Sequence, residues 1–378
     1  MEFPAAVRYN AAMRILVVNA GSTTVKLSVL DEEAECFAAT VGHQSPDAAV
    51  AGALDQVRAA GLLSVDAVGH RVVHGGAAFT EAVRVDDAVL AKLAELGDLA
   101  PLHNPPALAA LAAARRLLPD VPHVAAFDTA FHRTLPEHAR TYPVPWQWTA
   151  EWGVRKFGFH GLSHDYCSRR AAEMLGRHDH PQLRVVVAHL GGGCSLAAVR
   201  GGASVETTMG FTPLDGLMMA TRCGSIDPGL IEYVGRRHGM SAADIDRALN
   251  RESGLLGVSG VSADLRDVRA AAAGGNPRAV LAVEMFTHRL RLGIGAMAAA
   301  LGGLDALVYT AGIGEHDARL RADACAGLAF LGVGLDPAAN DAARPDADIS
   351  SAGTTCRVLV IHTREDVTIA REVERLTH

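Results

Sequence analysis

Ile15-Leu16-Val17-Val18-Asn19-Ala20-Gly21-Ser22 can be laid over Val185-Val186-Val187-Ala188-His189-Leu190-Gly191-Gly192 at a constant offset of 170 residues. Each stretch is an apolar, β-branched run that reads as a strand, then a polar residue, then a small-residue turn. Each leads into a second apolar run, ending at Val29 or Val199. Strand–turn–strand units are common, so coincidence is the plain alternative. Equal spacing at about half the chain length points instead to two domains of similar topology made by duplication.

Outward from these two stretches, short apolar runs alternate with longer Ala/Leu-rich segments of helical period. The runs at 15–19, 26–30, 67–73, 124–127, 184–189, 196–200, 306–310 and 357–362 are predicted strands. Helices are predicted over 106–117, 165–175, 228–237, 242–249, 277–301 and 367–376. Such alternation favours an α/β fold. Pro-rich 142–148 marks a boundary region.

The 378 residues suffice for two domains, and a 49% hydrophobic content excludes a disordered chain. With 35 basic against 42 acidic residues, the net charge of −7 lacks the basic footprint that binding a nucleic-acid backbone needs. Residues 1–14 have no apolar stretch of signal-peptide type and read as an extension. The longest apolar region, 296–314, is broken by Gly302, Gly303 and Asp305, so no membrane span is expected. Six scattered cysteines with no C-x-x-C are expected to be buried, inert thiols of a cytoplasmic protein.

Two turns suit phosphate, because glycine lets the backbone approach and successive N–H groups form an anion nest. They are Gly21-Ser22-Thr23-Thr24, followed by Lys26, and Gly191-Gly192-Gly193. Either one alone reads as an ordinary hairpin turn, and neither is a Walker loop. Lys26 is one of only three lysines (26, 92 and 156) among 35 basic residues. A lysine in so Arg-rich a chain draws notice where a compact ammonium is useful. Polar clusters surround Arg71 (His70-Arg71-Val72-Val73-His74), Asp128 (Phe127-Asp128-Thr129) and His160 (Gly158-Phe159-His160-Gly161). A further cluster surrounds Arg222 (Thr221-Arg222-Cys223-Gly224). Ser262-Ala263-Asp264 is adequately read as a helix cap. No H-E-x-x-H supports zinc, and no G-x-S-x-G supports an α/β-hydrolase. Arginines, a lysine, glycine turns and a few acids fit phosphoryl transfer best.

At this point the motifs converge. The chain carries N-A-G-S-T-T-V-K (19–26), G-H-R-V-V-H-G-G (69–76), P-L-H-N-P-P (101–106) and A-F-D-T-A-F-H (126–132). It continues with F-G-F-H-G-L-S-H (157–164), M-G-F-T-P-L-D-G-L-M-M-A-T-R (209–222) and S-G-L-L-G-V-S-G-V-S (253–262). T-A-G-I-G-E (310–315) and I-H-T-R-E-D (361–366) complete the set. In this order they resemble the acetate kinase (acetokinase) family, of the acetate and sugar kinase, heat-shock ATPase and actin superfamily.

The resemblance implies two duplicated actin-like, ribonuclease H-like ATPase domains with a nucleotide cleft between them. It implies reversible transfer from ATP to acetate with Mg²⁺ (Mn²⁺ as a substitute), in a homodimer. A 1–13 extension, an N-terminal domain at 14–140 and a nucleotide-binding domain at 141–366 are expected, with helix 367–378 returning to the first. By motif, Asn19 and Glu365 stand on the metal side. Arg71 and Arg222 embrace acetate and the transferring group, Asp128 is the catalytic carboxylate, and His160 binds the equatorial oxygens with His103 and His189 in support. Val73, Leu102, Phe159 and Pro213 form the methyl pocket. Ser22, Thr24, Lys26, Gly191, Gly192 and Gly193 serve the phosphates. Asp264, Leu265, Arg266, Gly312, Ile313 and Gly314 line the nucleotide pocket. The chain departs from the commonest family pattern at Gly192, Glu206, Ser225 and His316. The rival readings are a propionate kinase of the same family, a non-catalytic ATP-binding module and a pyrophosphate-dependent phosphotransferase.

Overall fold

The computed structural model describes residues 13–21, 24–42, 45–100 and 103–378. The chain divides into two compact units, one running to Phe127 and completed by Glu365–His378, the other spanning Asp128–Arg364. The division falls before residue 128, earlier than the 140/141 boundary expected from the sequence.

The first unit holds a six-stranded sheet of β1 (Arg14–Ala20), β2 (Thr24–Asp31), β3 (Ala34–Gly42), β4 (Ala67–Val72), β5 (Val83–Arg84) and β6 (His123–Phe127), in the order β3-β2-β1-β4-β6-β5. β1, β2 and β3 form an antiparallel meander, β4 and β6 run parallel to β1, and β5 closes the edge antiparallel. Ile15, Leu16, Val17 and Val18 are all buried. A strand covered on both faces reads as a continuous apolar run, which is why β1 is so plain in the sequence. Leu16, Val18, Val25 and Leu27 pack with Val50, Leu54 and Val57 of helix Pro46–Ala59 and with Ala110 and Ala114 of helix Asn104–Leu117. Helix Glu365–Thr377 lies on β4, where a Cβ on Gly69 would sit 2.4 Å from Ile369 Cγ2. Only glycine admits so close an approach.

The second unit repeats the plan with β7 (Arg184–Leu190), β8 (Cys194–Arg200), β9 (Ala203–Thr207), β10 (Ala306–Thr310), β11 (Ala347–Asp348) and β12 (Arg357–Val360), ordered β11-β12-β10-β7-β8-β9. Taken from the third strand of each unit, both sheets run third, second, first, fourth, sixth, fifth. Helix Gly161–Met174 covers one face through Cys167 and Ala171. Helix Pro277–Leu301 reaches Leu196, whose Cδ1 would be 2.7 Å from a Cβ on Gly293.

The offset of 170 holds for β1 against β7 and slips in the second strand. Val17 pairs with Ser28, whereas Val187 pairs with Ala197 rather than Ala198. The cause is turn length, since four residues separate the paired Ala20 and Val25 but three separate Leu190 and Cys194. A one-residue slip exchanges the faces of every side chain that follows. The ladder partner of Asn19 is therefore Lys26, whereas that of His189 is Ser195.

Candidate functional site

In the first unit three distant residues meet at the strand ends. Asn19 Nδ2 donates to Glu365 Oε2 at 3.3 Å, and Arg71 Nη1 donates to Asn19 Oδ1 at 3.3 Å. Arg71 Nε lies 3.7 Å from Glu365 Oε2, and both side chains are about one-fifth exposed. β1, β4 and the start of the C-terminal helix thus present a carboxylate, an amide and a guanidinium together. Lys26, opposite Asn19 in the ladder, is exposed. Gly21 N donates to Thr24 O at 2.8 Å across the first turn, while Ser22 and Leu102 lie outside the described residues. Val73, just past β4, is buried. His103 is half-buried at the start of helix Asn104–Leu117.

Asn104 escaped the sequence reading. Fully buried, it accepts from His74 N and donates to His74 O, both at 3.0 Å, holding the chain after β4. Its proline-rich context hinted at a helix start, not at a clamp. His70 is bonded to His123 at 2.9 Å, and burial holds its pKa well below the usual value. Among the described residues no cluster of three or more His, Cys, Asp or Glu could hold a metal ion.

The second unit opens on Asp128, 1% exposed. Gly161 N donates to Asp128 O at 3.0 Å, and a Cβ on Gly161 would lie 2.0 Å from that oxygen. The first residue of helix Gly161–Met174 is thereby locked to the Asp128 backbone. His160, just before this helix, has φ +57°, a left-handed conformation that costs a non-glycine residue about 1 kcal/mol or more. Ala311 is similar at +65°. Such strain persists only where its surroundings enforce it.

The second glycine turn closes with Gly191 N donating to Gly193 O at 3.0 Å. A Cβ on Gly193 would stand 3.3 Å from His160 Nε2 and 3.6 Å from Arg222 Nη1, so the turn, the imidazole and the guanidinium are neighbours. A Cβ on Gly191 would lie 3.9 Å from Ala311 Cβ, and Gly192 has nothing within 4 Å. The His160 and His189 rings stack at 4.1 Å. Arg222 Nη1 donates to Pro213 O at 3.0 Å. Burial lowers the Arg222 pKa, with Cys194 working the other way, and a guanidinium keeps its charge through such a shift. Phe159 is 1% exposed, and its carbonyl accepts from His132 Nε2 at 3.1 Å.

Ala311–His316 carries Gly312 and Ile313 on its more open side. Gly314 faces inward, 3.3 Å below Tyr309 as judged from its Cβ position. Arg321, 2% exposed, holds this segment from beneath by donating to Gly314 O at 2.8 Å and Glu315 O at 2.9 Å. Asn340 in turn accepts from Arg321 Nε through Oδ1 at 2.7 Å and from Nη2 through its carbonyl at 3.0 Å. Glu315 accepts from Ala311 N at 2.9 Å and pairs with His362 at 2.7 Å. Burial pushes the Glu315 carboxyl up, but His362 and two backbone donors outweigh it and leave the pKa below the usual value. The hydrogen bond to Glu315 raises the pKa of His362.

Asp264 caps helix Leu265–Ala273 by accepting from Arg266 N at 2.8 Å, and its bond to the Arg266 side chain lowers its pKa to about 2. The Leu265 side chain is 3% exposed and faces the core, so it offers a ligand only backbone. Cys36 is exposed and Cys223 half-buried, which corrects the expectation that all six thiols are buried; all six are free. Burial raises Cys194 to about 12. Glu206 pairs with Lys156 at 2.7 Å, Ser225 donates to Asp215 at 2.6 Å, and His316 bonds Gly312 O at 3.0 Å. These three departures from the family pattern therefore have local structural partners.

Residues 37–371 match the profile of the acetokinase family. The acetate kinase of Gloeobacter violaceus is 55% identical over 309 residues, covering 82% of this chain and 76% of its own. The crystal structure of Porphyromonas gingivalis acetate kinase superposes with a TM-score of 0.89 at 37% identity, covering 97% of this chain and all of that one. A propionate kinase from Francisella tularensis gives 0.88 at 36% identity, over 95% of this chain and 98% of its own.

Proposed function

The chain belongs to the acetokinase family, and from that membership we propose that it catalyses ATP + acetate ⇌ ADP + acetyl phosphate by direct in-line transfer. The observation that carries this reading is the side-chain-free turn at Gly193 set against His160 and Arg222. Phosphate binding needs such a backbone surface, with a cation and a neutral donor beside it.

Acetate and the triphosphate are both anions, so their repulsion must be neutralised before a carboxylate oxygen reaches attack distance. Arg71 and Arg222 supply fixed planar donors for this. His160 hydrogen-bonds the transferring group, with His103 and His189 in support. Acetate carries no proton to remove, so Asp128 acts by orienting its neighbours, not as a base. Lys26, Thr24 and Gly191–Gly193 serve the phosphates. Gly312 and Ile313 take the base, with Gly314, Asp264, Leu265 and Arg266 shaping that end. Asn19 and Glu365 are held together by the Asn19 Nδ2 bond to Glu365 Oε2 at 3.3 Å, and the amide and carboxylate oxygens of the pair are hard donors. They suit Mg²⁺, or Mn²⁺ in its place, which keeps several waters and shares substrate phosphates. When bound, the ion neutralises charge on the phosphates.

Val73, Phe159 and Pro213, with Leu102, form the methyl pocket in this reading. One methylene there is worth about 1–3 kcal/mol. Acetate is therefore preferred to propionate without excluding it. Val73→Ala is expected to lower the KM for propionate by roughly 10-fold. An unchanged acetate-to-propionate ratio of kcat/KM would refute this pocket.

The enzyme is a homodimer in this account. Leu230, Ile231 and Tyr233 stand 41–50% exposed on helix Pro228–His238, which buries no residue of its own. Light scattering should return twice the 39.5 kDa chain mass, and a monomeric mass at micromolar concentration would contradict the assignment. No described helix is long and apolar enough to cross a membrane. Six free cysteines suit the reducing cytoplasm.

A further inference from the structure

Ser195 is fully buried in β8 and lies between two imidazoles, 2.9 Å from His160 Nδ1 and 2.8 Å from His164 Nε2. We propose that Ser195 is a positioning residue which, backed by His164, fixes His160 as the tautomer carrying its proton on Nε2. This rests on His160 acting at the phosphoryl group as described above.

Counting protons fixes the direction of both bonds. A hydroxyl has one proton to give, and its oxygen can accept. The bonding partners of Ser195 Oγ are the two imidazole nitrogens, so its proton goes to one of them. His164 is fully buried, burial holds its pKa well below the usual value, and its Nδ1 has no hydrogen-bond partner. If Ser195 donated to His164 Nε2, neutral His164 would carry its proton on Nδ1, a buried donor without an acceptor. Leaving such a donor unmade costs about 1–3 kcal/mol. In the reverse order His164 Nε2–H donates to Ser195, and Ser195 donates to His160 Nδ1. His160 then accepts at Nδ1 and, when neutral, holds its proton on Nε2. That is the nitrogen nearest Gly193, whose Cβ position is 3.3 Å away. His160 so disposed is an N–H donor toward a phosphoryl oxygen and needs no imidazolium.

The β8 slip makes this possible. Residue 195 is the ladder partner of His189, so its side chain shares the His189 face of the sheet, where His160 stacks on His189. Neither the turn nor the strand alone would place a hydroxyl there.

Long-range ¹H–¹⁵N correlation spectra of the imidazoles in the whole enzyme test the assignment directly. His160 is expected to show protonated Nε2 and unprotonated Nδ1, and His164 likewise. A His160 proton resident on Nδ1 would overturn the proposal. In Ser195→Ala the His160 signals should move toward a tautomer mixture. Its kcat should fall roughly 10-fold with the KM for ATP little changed, and Ser195→Thr should recover part of the loss. Unchanged kcat and His160 shifts in a folded Ser195→Ala protein would also overturn it. His160→Ala separates the two claims, because full activity there would remove His160 from the site whatever its tautomer.

Discussion

Arg222→Ala is expected to lower kcat for acetyl phosphate formation about 10²–10³-fold, the usual consequence of removing one preorganised charge donor from a transition state. The side chain makes few bonds to the protein, donating to Pro213 O at 3.0 Å and lying 3.7 Å from Met219 Sδ. Its loss should therefore leave the melting temperature within a few degrees of the wild type. Most of its donors remain for ligand, in a half-buried position beside the Gly193 turn. Arg222→Lys should recover only part of the activity, because an ammonium keeps the charge and loses the fork. Steady-state kinetics beside a thermal melt check this. A kcat within threefold of the wild type would remove Arg222 from the machinery.

The second large effect is on stability. Arg321→Met keeps an apolar stem but leaves the carbonyls of Gly314, Glu315 and Asn340 without their donor. Buried acceptors left unpaired cost about 1–3 kcal/mol each, so a total on the order of 3 kcal/mol or more is expected. For a domain of this size that corresponds to a fall in melting temperature on the order of 10 °C. The KM for ATP should rise as well, because the same bonds hold the backbone of Gly312–Glu315 in shape. A melting temperature and KM both equal to the wild type would show that the segment is held by packing alone.

The two sheets were legible where burial is two-sided. β1 and β7 read as unbroken apolar runs because helices cover both faces, and their offset of 170 announced the repeated strand order. β3 was missed because it is an edge strand whose side chains are largely exposed, and Ala34–Gly42 has little apolar alternation. β5 and β11 are two-residue strands without any period to detect. Arg71, Arg222 and His160 were visible as polar residues that folding alone does not explain. Ser195 and Asn104 were not, because their roles arise from partners 30 to 35 residues away, and neither was Arg321, whose partners lie 6 to 19 residues away in other elements. A serine in an apolar strand or an arginine in a helix has an ordinary surface explanation until the chain folds over it. The β8 slip was equally hidden, since it depends on the conformation of a three-residue turn.

The most direct test of the account is hydroxamate formation by the purified enzyme with ATP–Mg²⁺ and acetate, propionate or butyrate in parallel. The expected result is strongest product from acetate, less from propionate, little from butyrate, and none once EDTA has removed the divalent ion. Product from propionate exceeding that from acetate would keep the phosphoryl chemistry and overturn the pocket. No product from any acid, by an enzyme that still binds ATP, would contradict the assignment as an acetate kinase.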